Sequence, residues 1–139
     1  MPKKFNTIAF DIGGVLLSEA ELGPKFDDQH MKIEIDPKML EIIKFLAEDT
    51  SVKIIIISKA FPKTSRKFRE ILHKHGLDIV FDSVIFCEKI EEKAEIAKVM
   101  KVNVMIDDRQ EVLDYFPEEI KTILFKQEEI GDLLEKISA

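Results

Sequence analysis

The sequence predicts an α/β protein, a single Rossmann-like domain with a doubly wound, mainly parallel five-stranded sheet and helices on both faces. Three observations carry this reading. Short apolar runs of strand length alternate with stretches of helical periodicity along the 139 residues. The run Val52–Ile57 is almost wholly β-branched, as in strands buried on both faces. Several runs end on a polar side chain, Asp11, Ser58 or Asp107, at the strand ends where open α/β sheets bind ligands.

The elements follow in order. The stretch Phe5–Leu17 carries the apolar run Ile8-Ala9-Phe10, delivers Asp11, and turns at Gly13-Gly14, where the backbone can bend sharply and a ligand can approach it closely. Ser18–Ile35, with Gly23, Pro24 and mixed charges, has no clear period and predicts a loop or flap beside the Asp11 turn. Asp36-Pro37 has the form of an N-cap followed by proline at the first helical position, and Met39, Ile43 and Leu46 then share one face. Strand two, Val52–Ile57, runs into Ser58. Phe68, Ile71, Leu72 and His75 mark a second helix that stops at Gly76. Ser83–Cys87 predicts strand three, Ile96, Val99 and Met100 a third helix, and Val102–Ile106 a fourth strand leading into Asp107-Asp108. Val112, Leu113 and Phe116 predict a short helix before Pro117, Thr122–Phe125 a fifth strand, and Ile130, Leu133, Leu134 and Ile137 a closing amphipathic helix. Five such βα units imply a parallel sheet covered on both faces.

Composition narrows the function. A chain of this length with 45% hydrophobic and 35% charged residues suits one folded domain, expected to span 1–139. The net charge of −6 argues against a general nucleic-acid binder, which presents basic surface to phosphate backbones. The one cysteine, Cys87, excludes an intrachain disulfide and a cysteine-rich metal site, and its ordinary place is the core. No apolar run approaches the ~20 residues that span a bilayer, and Met1–Phe5 lacks a signal-peptide core, so a cytoplasmic protein without membrane contact is expected.

The polar residues at the strand ends define the chemistry. Asp11, Asp107 and Asp108 repel one another unless a cation lies between them, and an all-oxygen set of this kind suits Mg²⁺. Lys89 and Lys93 lie between strands three and four and offer a further positive charge. A cation, a lysine, the Ser58 hydroxyl and a spare carboxylate together can bind a phosphoryl group and attack it.

The order Phe-Asp-Ile-Gly-Gly-Val-Leu with Asp11, Ile-Ile-Ile-Ile-Ser ending at Ser58, a helix-borne lysine, and Ile-Asp-Asp-Arg with Asp107 and Asp108 resembles the haloacid dehalogenase superfamily of aspartate-nucleophile phosphohydrolases. The resemblance implies Mg²⁺-dependent phosphoryl transfer through an aspartyl-phosphate. Asp11 would be nucleophile and metal ligand, Ser58 a phosphate donor with Lys59 and Gly14 beside the substrate, and Asp107 a metal ligand with Asp108 in support. The Gly13 carbonyl would be the remaining protein ligand. Lys93 fits the catalytic lysine because Lys93–Asp108 reads as the lysine, helix, strand and acidic pair of the family without a gap; Lys89 is the alternative.

At Gly13 the chain departs from the pattern, for the family commonly places there the aspartate that protonates the leaving group and then activates water. Three readings follow: a slow or specialised phosphatase, a non-catalytic module that binds a phosphorylated or protein partner, and a dehalogenase-type hydrolase. Ser58 lies 47 positions after Asp11, and Lys93 lies 35 after Ser58. These gaps, already holding predicted elements, leave no room for a cap domain. Capless members of the family act on large phosphorylated partners or close their sites by oligomerising, so the expected substrate is a phosphorylated macromolecule, or a small molecule if subunits cover the site. Lys63, Arg66, Lys67 and Lys74 share one face of the second helix, where a solvated surface is the ordinary reading and an extended phosphate surface the sharper one. His30, His73 and His75 lack the spacing of a metal site, and Arg109 either pairs with the acidic site or begins a helix.

Overall fold

The computed structural model describes residues 7–18, 21–23 and 26–139; Phe5 and Pro24, which entered the sequence argument, lie outside them. Among the described residues, five strands form one parallel sheet: β1 (Thr7–Phe10), β2 (Lys53–Lys59), β3 (Ser83–Cys87), β4 (Val104–Asp107) and β5 (Lys121–Leu124), in the order β3-β2-β1-β4-β5. β1 and β4 are buried throughout, as are Ile54–Ser58 of β2, which is why these runs are apolar without alternation.

Parity along the strands sorts side chains into two cores. Ile8, Phe10, Ile54, Ile56, Val104 and Ile106 point into the larger one. There they meet α2 (Pro37–Ala47) through Met39, Ile43 and Leu46, α3 (Pro62–Lys74) through Phe68, Ile71 and Leu72, and α6 (Leu133–Ser138) through Leu133 and Ile137. Ala9, Ile55, Ile57 and Met105 point the other way, towards Ala97 of α4 (Glu92–Val99) and Leu113 of α5 (Gln110–Leu113). Helices therefore cover both faces, as the alternating pattern predicts.

The boundaries follow local chemistry. Asp36 Oδ1 accepts from Lys38 N at 2.8 Å with Pro37 opening α2, the cap the sequence predicts. Helix α3 begins six residues before Phe68 because Pro62 opens it, and its polar first turn hides this start from an apolar period. Gly76, with φ of 70°, ends it. Strand β2 continues through Ser58 to Lys59, paired with Phe86 and Cys87 of β3, whereas Val102, placed in strand four by its hydrophobicity, is buried just ahead of β4. Ile130, expected in the closing helix, falls instead in a 3₁₀ segment, Gln127–Asp132, that leads into α6.

Two expectations need correction. The third predicted helix forms as α4, but its buried face is Lys93, Ala94 and Ala97, while Val99 is 80% exposed. Small alanines let the helix lie close on the sheet, and Lys93 turns inward to meet carboxylates, so polarity rather than hydrophobicity sets its rotation. The 18–35 stretch is not irregular throughout: a four-residue α1 (Phe26–Gln29) and a 3₁₀ turn at His30–Lys32 pack on α3. Phe26 and Phe68 meet with ring centroids 5.5 Å apart and ring planes tilted by 54°, Lys67 bonds Asp27 at 2.8 Å, and Lys74 bonds Glu34 and the Met31 carbonyl. Of the four cations picked out on this helix from the sequence, Lys67 and Lys74 thus hold the segment to α3, while Lys63 and Arg66 remain exposed. No described helix is long and apolar enough to cross a membrane.

Candidate active site

The strand order reverses between β1 and β4. Connections leave these neighbours in opposite directions, so a crevice opens beyond their carboxyl ends. Register decides what faces it. Phe10 pairs with Ile106, and Asp11 N donates to the Ile106 carbonyl at 3.0 Å, so the next residues, Asp11 and Asp107, stand side by side. Both have the parity of Ala9 and Met105 and so lie on the α4 side of the sheet. Lys93, in the first turn of α4, reaches both: its Nζ is 3.2 Å from Asp11 Oδ1 and 2.8 Å from Asp107 Oδ2. Lys89 does not enter this contact; it is exposed, its backbone N–H bonds Glu92 Oε1, and its carbonyl accepts from Cys87 Sγ.

All members of this cluster are buried: Asp11 is 6% exposed, Lys93 2%, Ser58 1% and Asp107 0%. The Ser58 hydroxyl hydrogen-bonds the Asp11 carboxylate from the end of β2, and Arg109 N donates to Asp107 Oδ1 at 3.1 Å. Burial pushes the Asp11 carboxyl up to about 7; Lys93 opposes this, and Asp107 adds to it. Desolvation pulls the Lys93 ammonium down, but Asp11 and Asp107 outweigh it and hold its pKa above the ordinary lysine value. The lysine therefore stays charged while Asp11 and Asp107 compete for it.

Asp108 completes an acidic group. One carboxylate oxygen from each of Asp11, Asp107 and Asp108 lies within 4.8 Å of the others. The donors are all hard oxygens, and the charges count in favour of a divalent ion: three carboxylates less one ammonium leave −2. These residues fit Mg²⁺.

The two glycines have different tasks. Gly14 has φ of +79°, and a Cβ there would fall 1.9 Å from Asp108 Oδ2, so the turn places Asp108 where only glycine leaves space. Gly13 is not in the left-handed region, and a Cβ there would meet only Leu22 Cδ1 at 3.3 Å, the end of a flexible side chain. Gly14→Ala is expected to lose ~1–3 kcal/mol of stability, read as a lower urea midpoint at unchanged slope, whereas Gly13→Ala is nearly neutral. Equal losses at the two positions would contradict this division.

Between these groups lies a cavity of about 260 Å³ lined by Asp11, Gly13, Gly14, Ser58, Lys59, Lys93, Asp108 and Arg109, with Leu22, Phe68 and Ile90 as apolar walls. Every polar residue picked out from the strand ends is thus brought to it or, as with Asp107, packed beneath it. Lys59 is at the mouth, its ammonium 5.9 Å from the Phe61 ring, and Arg109 pairs outward with Glu111. His73 pairs with Asp78 and His30 with Glu70, outside the cavity. The apolar walls escape a sequence reading because Phe68 has the period of a core residue and neither Leu22 nor Ile90 belongs to a periodic stretch.

Solved structures of similar shape agree in kind. The HAD domain of the effector protein Lem4 from Legionella pneumophila, an inactive mutant, superposes with a TM-score of 0.63 over 97% of this chain and 93% of that one, at 14% identity. A chain of the Pnkp1/Rnl/Hen1 complex gives a TM-score of 0.66 and 14% identity over 88% of this chain. The fold is that of the haloacid dehalogenase superfamily. A haloacid dehalogenase-like family hydrolase from Xanthomonas campestris, at 11% identity, gives 0.57 over 88% of this chain and 87% of that one. This chain spans about half, 47%, of the Pnkp1/Rnl/Hen1 chain it matches. No protein-family model and no curated protein matches the sequence. At such identities the haloacid dehalogenase likeness concerns the fold.

Proposed function

We propose that the protein is a Mg²⁺-dependent phosphohydrolase that works through an aspartyl-phosphate on Asp11 and turns over slowly because Gly13 supplies no acid. The observation that carries this reading is the buried Lys93 ammonium between Asp11 and Asp107, with Asp108 alongside, at the switch point of the sheet. Asp11, Asp107 and Asp108, with the Gly13 carbonyl, would hold Mg²⁺, which when bound neutralises charge on the carboxylates and on the phosphoryl oxygens. Asp11 attacks phosphorus in line: a carboxylate oxygen forms the new O–P bond, and the bond to the leaving oxygen breaks with its electron pair. Ser58 and Lys93 donate to the phosphoryl oxygens as negative charge redistributes. Water then attacks the aspartyl-phosphate at phosphorus: a new O–P bond forms, the P–O bond to Asp11 breaks with its electron pair to restore the carboxylate, and the proton of the attacking water passes to the released phosphate or to solvent.

The leaving oxygen has no carboxylic acid at position 13 to protonate it, and Leu22 closes that side with a methyl group. A positioned acid contributes ~10²–10⁴-fold, most where the leaving oxygen is basic. The wild type is expected to cleave 4-nitrophenyl phosphate slowly and glycerol phosphate barely, and Gly13→Asp to raise glycerol phosphate turnover the more. That variant is expected to fold, since a Cβ at 13 displaces only the end of Leu22. The measurement is both rates under excess Mg²⁺ for wild type, Gly13→Asp and Asp11→Asn, with melting curves at several Mg²⁺ concentrations. Activity surviving in Asp11→Asn would refute the nucleophile. A folded protein whose melting temperature rises with Mg²⁺ but which is inert to every activated phosphate would favour a module that binds phosphorylated partners, the reading supported by Gly13 and Leu22.

The stretches between Asp11 and Ser58 and between Ser58 and Lys93 hold α1, α2, α3 and β3, all packed on the sheet or on each other. This supports a capless site open to a phosphorylated group on a macromolecule, or to a small molecule once subunits cover it.

A further inference from the structure

A second cavity, of about 270 Å³, lies beside the phosphoryl cavity and shares one wall with it, Ile90. Its other lining residues are Tyr115, Glu111 and Asp114, and the Tyr115 side chain is half exposed although the ring is large and apolar. The phosphoryl cavity is itself two-sided. Its polar floor is Asp11, Ser58, Lys93 and Asp108, while Leu22, Phe68 and Ile90 form apolar walls. Ile90 is common to both linings, so the apolar side of the phosphoryl cavity continues at that residue towards the Tyr115 ring.

We propose that these walls, Ile90 and Tyr115 form a subsite for the body of the substrate, which is an aromatic phosphomonoester. The inference rests on the phosphoryl site described above and adds the chemistry of the leaving group. Two independent features point to the same class. A flat apolar ring leaving the phosphoryl cavity would bury surface on Ile90 and Tyr115, where aromatic rings also gain from edge or offset contact. A phenolic oxygen is a far weaker base than an alkoxide and needs a proton less as it departs, so a site with Gly13 and Leu22 in place of an acid serves aryl esters better than alkyl ones. The far end is acceptor-rich: Glu111 already pairs with Arg109, and Asp114 accepts from Gln110 at 2.8 Å, so a second anionic group on the ligand would meet carboxylates. A phosphorylated ring that ends in a neutral or positive group fits; a bisphosphate or a dicarboxylate does not.

Binding of non-hydrolysable phosphonates to the full chain with Mg²⁺, measured by calorimetry, tests this without requiring turnover. Phenylphosphonate is expected to bind at least tenfold tighter than methylphosphonate, and 4-phosphonobenzoate more weakly than phenylphosphonate. In Tyr115→Ala and Ile90→Ala the phenyl-over-methyl ratio should fall several-fold towards one. Tyr115 is half exposed, so its replacement is not expected to disturb folding, and circular dichroism checks both variants. Equal affinity for the two phosphonates, a ratio unmoved by both substitutions, or no phosphonate binding at all overturns the subsite. A clear phenyl preference in a protein inert to every phosphate ester keeps the subsite and rejects only the hydrolytic reading.

Discussion

Asp11→Asn is expected to abolish phosphoryl transfer, by at least ~10⁴-fold, and at the same time to stabilise the metal-free protein at pH 8. Both effects come from one carboxylate. In the wild type, Asp11 and Asp107 share a single ammonium in a buried site, which leaves one negative charge uncompensated. Asparagine removes that charge and leaves the Lys93–Asp107 pair intact. The pH dependence gives the sign. The folded-state pKa of Asp11, about 7, lies above the ordinary value of 3.8, so between these pH values the folded protein holds a proton that the unfolded chain releases. The cost of ionising Asp11 therefore builds as pH rises through this window and is fully present above it. Melting of the metal-free wild type should fall from pH 5 to pH 8, while Asp11→Asn should lie above it at pH 8 by roughly 1–3 kcal/mol and show a weaker slope. Saturating Mg²⁺ favours the ionised carboxylate and should flatten the wild-type slope. A less stable Asp11→Asn at pH 8 without metal would show that the carboxylate is structurally required and would overturn this account.

Lys93→Ala is the opposite case. It strips the ammonium from between two buried carboxylates, and removing one partner of a buried charge group typically costs about 3–5 kcal/mol. The loss should shrink when Asp11 is also neutralised, because Lys93→Ala with Asp11→Asn leaves one buried carboxylate in place of two. A double-mutant cycle on urea midpoints measures this, and a coupling near zero would mean that the ammonium does not hold the two carboxylates together. Mg²⁺ should recover part of the loss in Lys93→Ala, since a divalent ion can take over charge compensation. Turnover should not return with it, because the ammonium that donates to the phosphoryl oxygens is gone.

Much of the architecture was legible because burial on both faces writes strands as unbroken apolar runs. Ile8-Ala9-Phe10, Ile54–Ile57 and Val104–Ile106 needed no tertiary knowledge, and parallel pairing with covering helices follows from strands that alternate with helices. The polar cluster was legible for a related reason: a carboxylate or hydroxyl at the end of such a run has few purposes, so Asp11, Ser58 and Asp107 stood out. Helix rotation was not. Ile96, Val99 and Met100 are the residues a hydrophobic period selects, yet α4 buries Lys93, Ala94 and Ala97, because electrostatic partners on β1 and β4 exist only once those strands are adjacent.

The amino-acid sequence by itself determined which residues end the strands, and hence that carboxylates, a hydroxyl and a lysine would gather at one rim. Only the tertiary structure decided which lysine, since Lys89 falls in the exposed bend between β3 and α4 whereas Lys93, in the first turn of α4, is turned inward to the carboxylates. It also decided which glycine is obligatory: the dipeptide Gly13-Gly14 reads as one turn, but the positive φ and the approach of Asp108 fall on Gly14 alone. The apolar side of the site, Leu22, Phe68, Ile90 and Tyr115, comes from four separate stretches of chain. Residues so far apart carry no joint local signal, and only packing brings them to two cavities that meet at Ile90.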